Sequence, residues 1–288
     1  MTRLITRLIT ARHLALTLVA ALAATTSTAP CRAQTRADSA RAADSARAAD
    51  SARAADSARA AATRRPGPLF TRHEVRAAAG IVLATAALLP LDQAIAEEFR
   101  DPWPQRNGGL RAGASVFNSL GDPGSLILAA GAYGVGRATH ARALTDVGLH
   151  ATEAVVLSGG VTALIKGVAG RQRPYLDRLD ADEFSLGTGF STGGRTSFPS
   201  GHTSAAFALA SVVAAEVRER RPGRMAWLVG AVAYGSAGMV GLARMYDDKH
   251  WASDVALGAG VGTLSGLTVV RYTHAHPRNR LDRWLGAR

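Results

Sequence analysis

The hexapeptide FPSGHT, residues 198–203, stands immediately before a long apolar stretch. Pro199 fits the first turn of a helix, where no backbone donor is needed. Ser200 and Gly201 then present free backbone N–H groups at the positive end of a helix dipole, an arrangement that binds anions. His202 adds an acid–base group whose ordinary pKa is close to neutral pH. The segment therefore predicts a helix whose N-terminus binds an anion.

Two further segments supply charged side chains. Lys166 and Arg173 are seven residues apart, so they share one helix face if the preceding helix runs on to the following proline. His250 and Asp254 are four residues apart, so the carboxylate can reach the imidazole, fix its tautomer and leave the other ring nitrogen free. With Arg244 the set contains three cations and two histidines, which suits phosphoryl transfer.

The order of these blocks resembles a known family. The patterns K-x6-R-P from Lys166, P-S-G-H from Pro199 and R-x5-H-x3-D from Arg244 are similar to those of the type-2 phosphatidic acid phosphatase superfamily. That superfamily also contains bacterial acid phosphatases and vanadium haloperoxidases. One position departs from the pattern, since Ala243 stands where the family usually has serine. The resemblance implies a helical bundle with its active site at one end.

The resemblance also implies a role for each motif residue. The catalytic group is predicted to be His250 as the nucleophile, Asp254 as the residue that orients it, and His202 as the proton donor and later the base. The phosphate-binding group is predicted to be Lys166, Arg173, Ser200, Gly201 and Arg244. The predicted intermediate is a phosphohistidine, and no cofactor is expected.

Composition excludes several other classes of protein. The net charge is +12, but residues 1–68 contribute +7 of it, so the remainder is only mildly basic and lacks the basic, aromatic-studded face of a nucleic-acid binder. The single cysteine, Cys31, rules out an intramolecular disulfide and a cysteine zinc site. No His-x-x-x-His or comparable cluster occurs in the sequence, so the chemistry is predicted to be free of metal. His150 is interpreted as a satisfied polar group on an apolar helix, and His274 receives no role.

The N-terminal region divides into two segments. Residues 1–33 have the pattern of a secretory signal, because three arginines precede an apolar run from Leu14 to Ala24, which is too short to span a bilayer. An uncleaved anchor is the alternative. Residues 34–70 are predicted to form a solvated tether, because residues 37–60 consist of four copies of Ala-Asp-Ser-Ala-Arg-Ala and contain no large apolar residue to bury.

Residues 71–272 are predicted to form an all-α helical bundle of about six helices, and residues 273–288 a basic tail. Glycine recurs every four residues at Gly258, Gly262 and Gly266. In a membrane this spacing permits close contact between helices, whereas in a soluble bundle it is simply a helix face made of small residues. The candidate helices are Val75–Ala94, Ser125–Arg137, Leu144–Gly167, Thr203–Val217, Met225–Ala243 and Asp254–Tyr272.

The bundle is predicted to lie in a bacterial inner membrane with its site facing the periplasm; a soluble periplasmic bundle is the alternative. The loop Arg218–Arg224 and the tail are basic, so both are expected on the cytoplasmic side. If the signal is cleaved and all six helices span the membrane, the tail would lie outside the cytoplasm, which conflicts with that orientation. Either Val75–Ala94 does not span, or the signal is retained, or the bundle is soluble. The predicted activity is hydrolysis of a lipid phosphomonoester or diphosphate. The alternatives are a soluble broad-specificity acid phosphatase, a vanadium-dependent haloperoxidase and a non-catalytic membrane protein.

Overall fold

Helices form nearly all of the regular structure, as the sequence predicts. The computed structural model describes residues 71–176, 180–191 and 193–276. Within these ranges there is no β-strand, and Arg171 and Phe184 form only an isolated bridge. The nine α-helices are α1 (Arg72–Leu88), α2 (Asp92–Arg100), α3 (Pro102–Arg106), α4 (Gly108–Leu120), α5 (Gly124–Ala138), α6 (Arg142–Ala169), α7 (Gly201–Arg220), α8 (Arg224–Tyr246) and α9 (Ala252–Ala275).

The described residues contain three α-helices more than the six that the sequence predicts. The predicted helix Val75–Ala94 is divided by a 3-10 turn at Leu89–Leu91 into α1 and α2. Helices α3 and α4 lie in a stretch rich in Gly, Pro and Asn, for which the pattern predicts no helix. α4 forms because the Asn107 side chain accepts hydrogen bonds from the backbone N–H groups of Gly109 and Leu110, at 2.9 and 3.1 Å. Helix α9 runs three residues into the predicted tail; the predicted signal, the tether and residues 277–288 lie outside the described residues.

Helix α7 is the central element of the bundle and packs against α6, α8 and α9. Its buried residues are mostly Ala, Ser and Thr, so neighbouring backbones come close. The glycine spacing in α9 makes this contact: a Cβ atom on Gly262 would lie 2.1 Å from the backbone oxygen of Ser204, and one on Gly266 would lie 2.7 Å from that of Ala208. Any larger residue at these two positions would force the helices apart.

The bundle exposes much apolar surface along its length. By length and composition alone, four helical segments are long and apolar enough to cross a membrane: Arg72–Arg100, Arg142–Ala169, Arg224–Tyr246 and Ala252–Ala275. Large side chains on three of them are more than half exposed, among them Leu83, Val156, Leu164 and Trp227. Apolar patches of this extent are the mark of a lipid-facing or protein-facing surface, and the four segments are those of a membrane protein.

The helices run between two ends of the bundle. At the first end lie the C-terminus of α6, the N-termini of α7 and α9, and the C-terminus of α8. At the opposite end lie the start of α6 and the end of α7, joined by an ion pair between Asp146 and Arg220 at 2.8 Å. An ion pair between Glu74 and Arg271 places the start of α1 and the end of α9 at this second end too.

Candidate active site

The fold brings all eight predicted site residues to the first end of the bundle. Two features of the local backbone differ from the sequence prediction. Helix α6 stops at Ala169 because Gly170 adopts a left-handed conformation (φ 57°), so Arg173 lies in a loop and not on a continuation of the helix that carries Lys166. Helix α7 begins at Gly201 with Ser200 as its N-cap, so Pro199 precedes the helix instead of forming its first turn.

His250 and Asp254 form the buried pair that the spacing predicts. His250 Nδ1 lies 3.3 Å from Asp254 Oδ2, and both side chains are almost fully buried. His250 itself is not helical; the chain enters α9 only at Ala252, and Asp254 occupies its first turn. Burial lowers the pKa of His250 to about 3, with Asp254 opposing the shift and Lys166 adding to it. The imidazole is therefore neutral at ordinary pH, the form in which its free nitrogen can act as a nucleophile.

Asp254 is held by more than its histidine. Its Oδ2 accepts hydrogen bonds from the Ser197 hydroxyl at 2.5 Å and from the backbone N–H of Trp251 at 2.9 Å. Its Oδ1 accepts from Nη1 of Arg171 at 2.7 Å. These donors fix the orientation of the Asp254 carboxylate. Because His250 Nδ1 lies against that carboxylate, the orientation of the imidazole ring is fixed too.

Arg171 is a buried residue beside the predicted site to which the sequence analysis assigns no role. Its guanidinium is fully buried and joins two buried carboxylates, Asp254 and Asp92, each at 2.7 Å. It also donates to the Ser253 hydroxyl and to the backbone oxygen of Ala181. Three aromatic rings lie against the group, those of Phe184, Phe198 and Trp251.

Asp92 closes this network from a helix outside the three motif blocks. Its Oδ1 accepts from the backbone N–H of Ser253 at 2.8 Å, and Oδ2 accepts from the Ser253 hydroxyl. The start of α2 is thereby tied to the start of α9, immediately beside Asp254. A lone carboxylate within an apolar stretch is a signal of function, and that signal at Asp92 was present in the sequence.

Arg173 and Arg244 each have a buried N–H donor without an acceptor among the described residues. Arg173 Nη2 donates to the Thr196 hydroxyl at 3.2 Å, and Arg244 Nη1 donates to Asn118 Oδ1 at 3.0 Å. The Nε atom of each arginine is buried and has no hydrogen-bond acceptor among the described residues. Buried donors without an acceptor are costly, so an anion between the two guanidinium groups would satisfy both.

Lys166 and the start of α7 border the same space. Lys166 Nζ donates to the backbone oxygen of Thr196 at 2.5 Å, and a Cβ atom on Gly201 would lie 3.8 Å from Lys166 Cε. Ser200 is fully buried, and its Oγ accepts from the Thr203 hydroxyl at 2.9 Å while capping the helix. Direct contact of Lys166, Ser200 and Gly201 with phosphate stays a prediction.

His202 is wedged between the α4–α5 turn and the cations. Its ring packs on Gly121, where a Cβ atom would lie 2.5 Å from Cδ2 of His202. Burial, followed by the charges of Arg244, Arg173 and Lys166, lowers the pKa of His202 to about 4. The imidazolium form is disfavoured because three positive charges lie nearby, and a bound anion would remove that repulsion.

The arrangement brings two imidazoles, that of His250 being neutral, close to three cations. Such a donor set holds an oxyanion rather than a divalent metal ion, because three cations repel a fourth. The family comparison agrees with this chemistry: residues 148–278 match the family described as the PAP2 superfamily.

The matched segment contains all eight predicted site residues but not Asp92, which lies upstream of it. A lipid A 1-phosphatase from Porphyromonas gingivalis is 43% identical over 70 residues, which cover 24% of this chain and 15% of that protein. A crystal structure of a transmembrane PAP2-type phosphatidylglycerolphosphate phosphatase from Bacillus subtilis is 22% identical, with a TM-score of 0.49, covering 73% of this chain and 99% of that one.

Proposed function

We propose that this PAP2 protein is a metal-independent phosphatase that removes phosphate from a lipid phosphomonoester or diphosphate through a phosphohistidine. The observation that carries the proposal is the pair of buried Nε–H groups on Arg173 and Arg244, which have no acceptor among the described residues. The charge of Arg173 acts on both Arg244 and His250, so the two arginines lie near the proposed nucleophile. A phosphoryl group placed there would accept from both arginines while its phosphorus faces the neutral imidazole.

In the first chemical step, Nε2 of His250 attacks phosphorus and the bond from phosphorus to the alcohol oxygen breaks. The Nδ1–H of His250 donates to Asp254, whose negative charge balances the positive charge that develops on the ring. The leaving oxygen takes a proton from His202, which is cationic when the phosphate dianion is bound. The product alcohol then departs.

In the second step, water attacks the phosphohistidine. His202, now neutral, takes a proton from that water as its oxygen bonds to phosphorus, and the phosphorus–nitrogen bond breaks. Inorganic phosphate and neutral His250 result, so the enzyme returns to its starting state. The three cations hold the equatorial oxygens in both steps, and they supply the charge that a metal ion provides in other phosphatases.

A lipid substrate follows from the surroundings of the site. The candidate membrane helices that end at the site expose large apolar side chains along their length, and a relative of the matched segment is a lipid A 1-phosphatase. An open polar cavity beside Arg244 gives room for a head group; its lining includes Arg111, Ser115, Asn118 and Asp247. The exposed apolar faces disfavour the soluble alternative.

The basic residues set the proposed orientation. The turn between α7 and α8 carries Arg218, Arg220, Arg221 and Arg224, and it lies at the end of the bundle opposite the site. Basic turns stay on the cytoplasmic side of a membrane. The active site then faces the periplasm of a bacterial inner membrane.

The test is phosphate release by purified protein in detergent with EDTA present. The wild type is compared with His250→Ala and with His73→Ala, an exposed histidine on α1 that serves as the control. Substrates are phosphatidic acid micelles and a soluble aryl phosphate. We expect release by the wild type and His73→Ala, preference for the lipid, and an acid-labile protein-bound phosphate that His250→Ala lacks. Labelling of His250→Ala would refute the nucleophile, and halide oxidation with vanadate and peroxide would favour a haloperoxidase.

A further inference from the structure

A second cluster of metal-ligating side chains lies at the opposite end of the bundle from the phosphate site. It joins His150 of α6, Glu216 of α7 and His274 of α9. His150 Nδ1 lies 2.5 Å and His274 Nε2 lies 3.1 Å from the same oxygen, Oε1 of Glu216. The three candidate ligand atoms all lie within 4.8 Å of one another. No residue of this cluster takes part in the proposed phosphatase chemistry.

We propose that these three side chains bind one Zn²⁺ ion, with two imidazoles and one carboxylate as ligands. Zinc takes His nitrogen and Glu oxygen at about 2.0–2.2 Å, and two histidines with one glutamate are an established zinc ligand set that leaves the fourth position to water. Tetrahedral coordination at that distance separates ligand atoms by about 3.4 Å, so the His150–Glu216 pair opens by about 0.9 Å on binding.

The ligands are held in place before any metal arrives. Nδ1 of His150 and Nε2 of His274 both lie within hydrogen-bond distance of Oε1, so the two nitrogens already point at one spot. In the bound state the ligand nitrogens, Nδ1 of His150 and Nε2 of His274, carry no proton, so the ring proton lies on Nε2 of His150 and on Nδ1 of His274. The hydrogen bonds of the free state therefore hold the ligand atoms in position for the metal.

The second carboxylate oxygen of Glu216, Oε2, is held by an ion pair on the side away from the two histidines. Arg220, one helical turn along α7, pairs with Oε2 of Glu216, and its other nitrogen pairs with Asp146 at 2.8 Å. This contact orients the carboxylate so that Oε1 faces the histidines, as outer partners of metal ligands do. Across this hydrogen-bonded set, two carboxylates outnumber one guanidinium, so one net negative charge is available to a cation.

Burial gives the cluster both a dry interior and an access path. The side chains of His150 and Glu216 are 2% and 0% exposed, whereas that of His274 is 32% exposed. An ion can reach the site past His274, where a water molecule can also complete the coordination. A bound ion would clamp the ends of three helices, since each ligand comes from a different one.

The test uses protein purified without a polyhistidine tag and stripped of metal by a chelator. Co²⁺ is titrated as the probe, because tetrahedral cobalt absorbs strongly in the visible range, and Zn²⁺ is then added as competitor. We expect one Co²⁺ per chain, displacement by Zn²⁺, and a rise in Tm with Zn²⁺. The control is His276→Ala, since this histidine lies two residues beyond the cluster and stacks on Tyr272 instead.

Three variants decide the outcome. His274→Ala changes a partly exposed residue, so it should fold, yet bind Co²⁺ at least tenfold more weakly and lose the Zn²⁺-dependent rise in Tm. Glu216→Gln keeps the volume and should lose binding in the same way, while His276→Ala should match the wild type. Folded wild type that takes up no stoichiometric Co²⁺, or His274→Ala with unchanged affinity, would overturn the proposal. Phosphate release measured in EDTA is a separate readout, so failure of one proposal leaves the other standing.

Discussion

Arg171 donates from Nη1 to Oδ1 of Asp254 at 2.7 Å, and neither side chain is exposed to solvent. The same guanidinium donates from Nη2 to Asp92, which in turn accepts from the backbone at the start of α9. The carboxylate behind the proposed nucleophile is therefore positioned by an arginine that has no path to the substrate. Charged hydrogen bonds of this kind are the strong ones in proteins.

The two-donor guanidinium of Arg171 can be tested by substitution with lysine, which keeps the positive charge but lacks the planar pair of N–H donors. We expect Arg171→Lys to fold, to lower kcat by about tenfold to hundredfold, as the loss of one charged hydrogen bond implies, and to leave KM nearly unchanged. Arg171→Met should instead unfold readily, since breaking a buried ion pair costs about 3–5 kcal/mol. Steady-state kinetics and thermal unfolding of both variants are the measurements.

The control for this prediction is Arg195→Lys, because Arg195 forms a partly exposed ion pair with Glu183 in the same region. It should change neither kcat nor Tm appreciably. Asp92→Asn should reproduce the kcat effect of Arg171→Lys at smaller size, since Asp92 does not touch Asp254 and acts on it through Arg171 and through Ser253 at the start of α9. Equal losses in kcat/KM from a raised KM alone would contradict a positioning role.

The absence of a side chain at Gly121 makes space for the imidazole of His202, and an alanine at this position would occupy that space. In Gly121→Ala the added Cβ would lie 2.5 Å from Cδ2 of His202, so the imidazole must move. The φ angle of Gly121 is −72°, which is outside the left-handed region that favours glycine. We expect kcat to fall by about a hundredfold, the loss that a displacement of about 1 Å can cause. Gly113→Ala is the matched control, because no atom lies within 4 Å of its added Cβ; a silent Gly121→Ala would contradict the placement of His202.

Short-range spacing in the sequence predicted most of the site. His250 and Asp254 are four residues apart, and Ser200 caps the helix that it precedes, so local geometry alone brings these groups into position. The helix ends were harder, because Gly170 stops α6 before Arg173 through a left-handed conformation that the sequence pattern does not require.

Long-range contacts were the part that the sequence could not supply. Arg171 and Asp92 are 79 residues apart in the chain, and only the fold shows that they meet. The same holds for His150, Glu216 and His274, which lie on three helices and share no sequence spacing. A buried charge has no periodic signature of its own, so its partner becomes visible only once the helices are packed.

Binding of a dianion should change the protonation of His202. Free His202 has a pKa lowered to about 4 by burial and by Arg244, Arg173 and Lys166, so it is almost entirely neutral at pH 5.5. A dianion between the cations cancels their repulsion and raises that pKa, so the protein takes up a proton. Sulfate is the probe because it does not titrate at this pH. Calorimetry in buffers of different ionisation enthalpy should give uptake of nearly one proton.

The control variant for proton uptake is His202→Asn, which keeps a hydrogen-bond donor but cannot titrate. It should bind sulfate with uptake near zero, while His73→Ala should behave as the wild type. Uptake that persists in His202→Asn would assign the proton to another group, and its absence in the wild type would mean that His202 stays neutral when the anion is bound.

The orientation of the bundle in the membrane depends on whether residues 1–33 are cleaved. Because Glu74 pairs with Arg271, the start of α1 lies at the basic end of the bundle, which the positive-inside rule places in the cytoplasm. A cleaved signal would instead deliver residue 71 to the periplasm and turn the site toward the cytoplasm. In a Cys31→Ser background, Asp182→Cys marks the site end and Glu219→Cys marks the basic end, since both residues are exposed. We expect an impermeant maleimide to label Asp182→Cys in spheroplasts and Glu219→Cys only after lysis; the reverse pattern would establish a cytoplasmic site and support the cleaved signal.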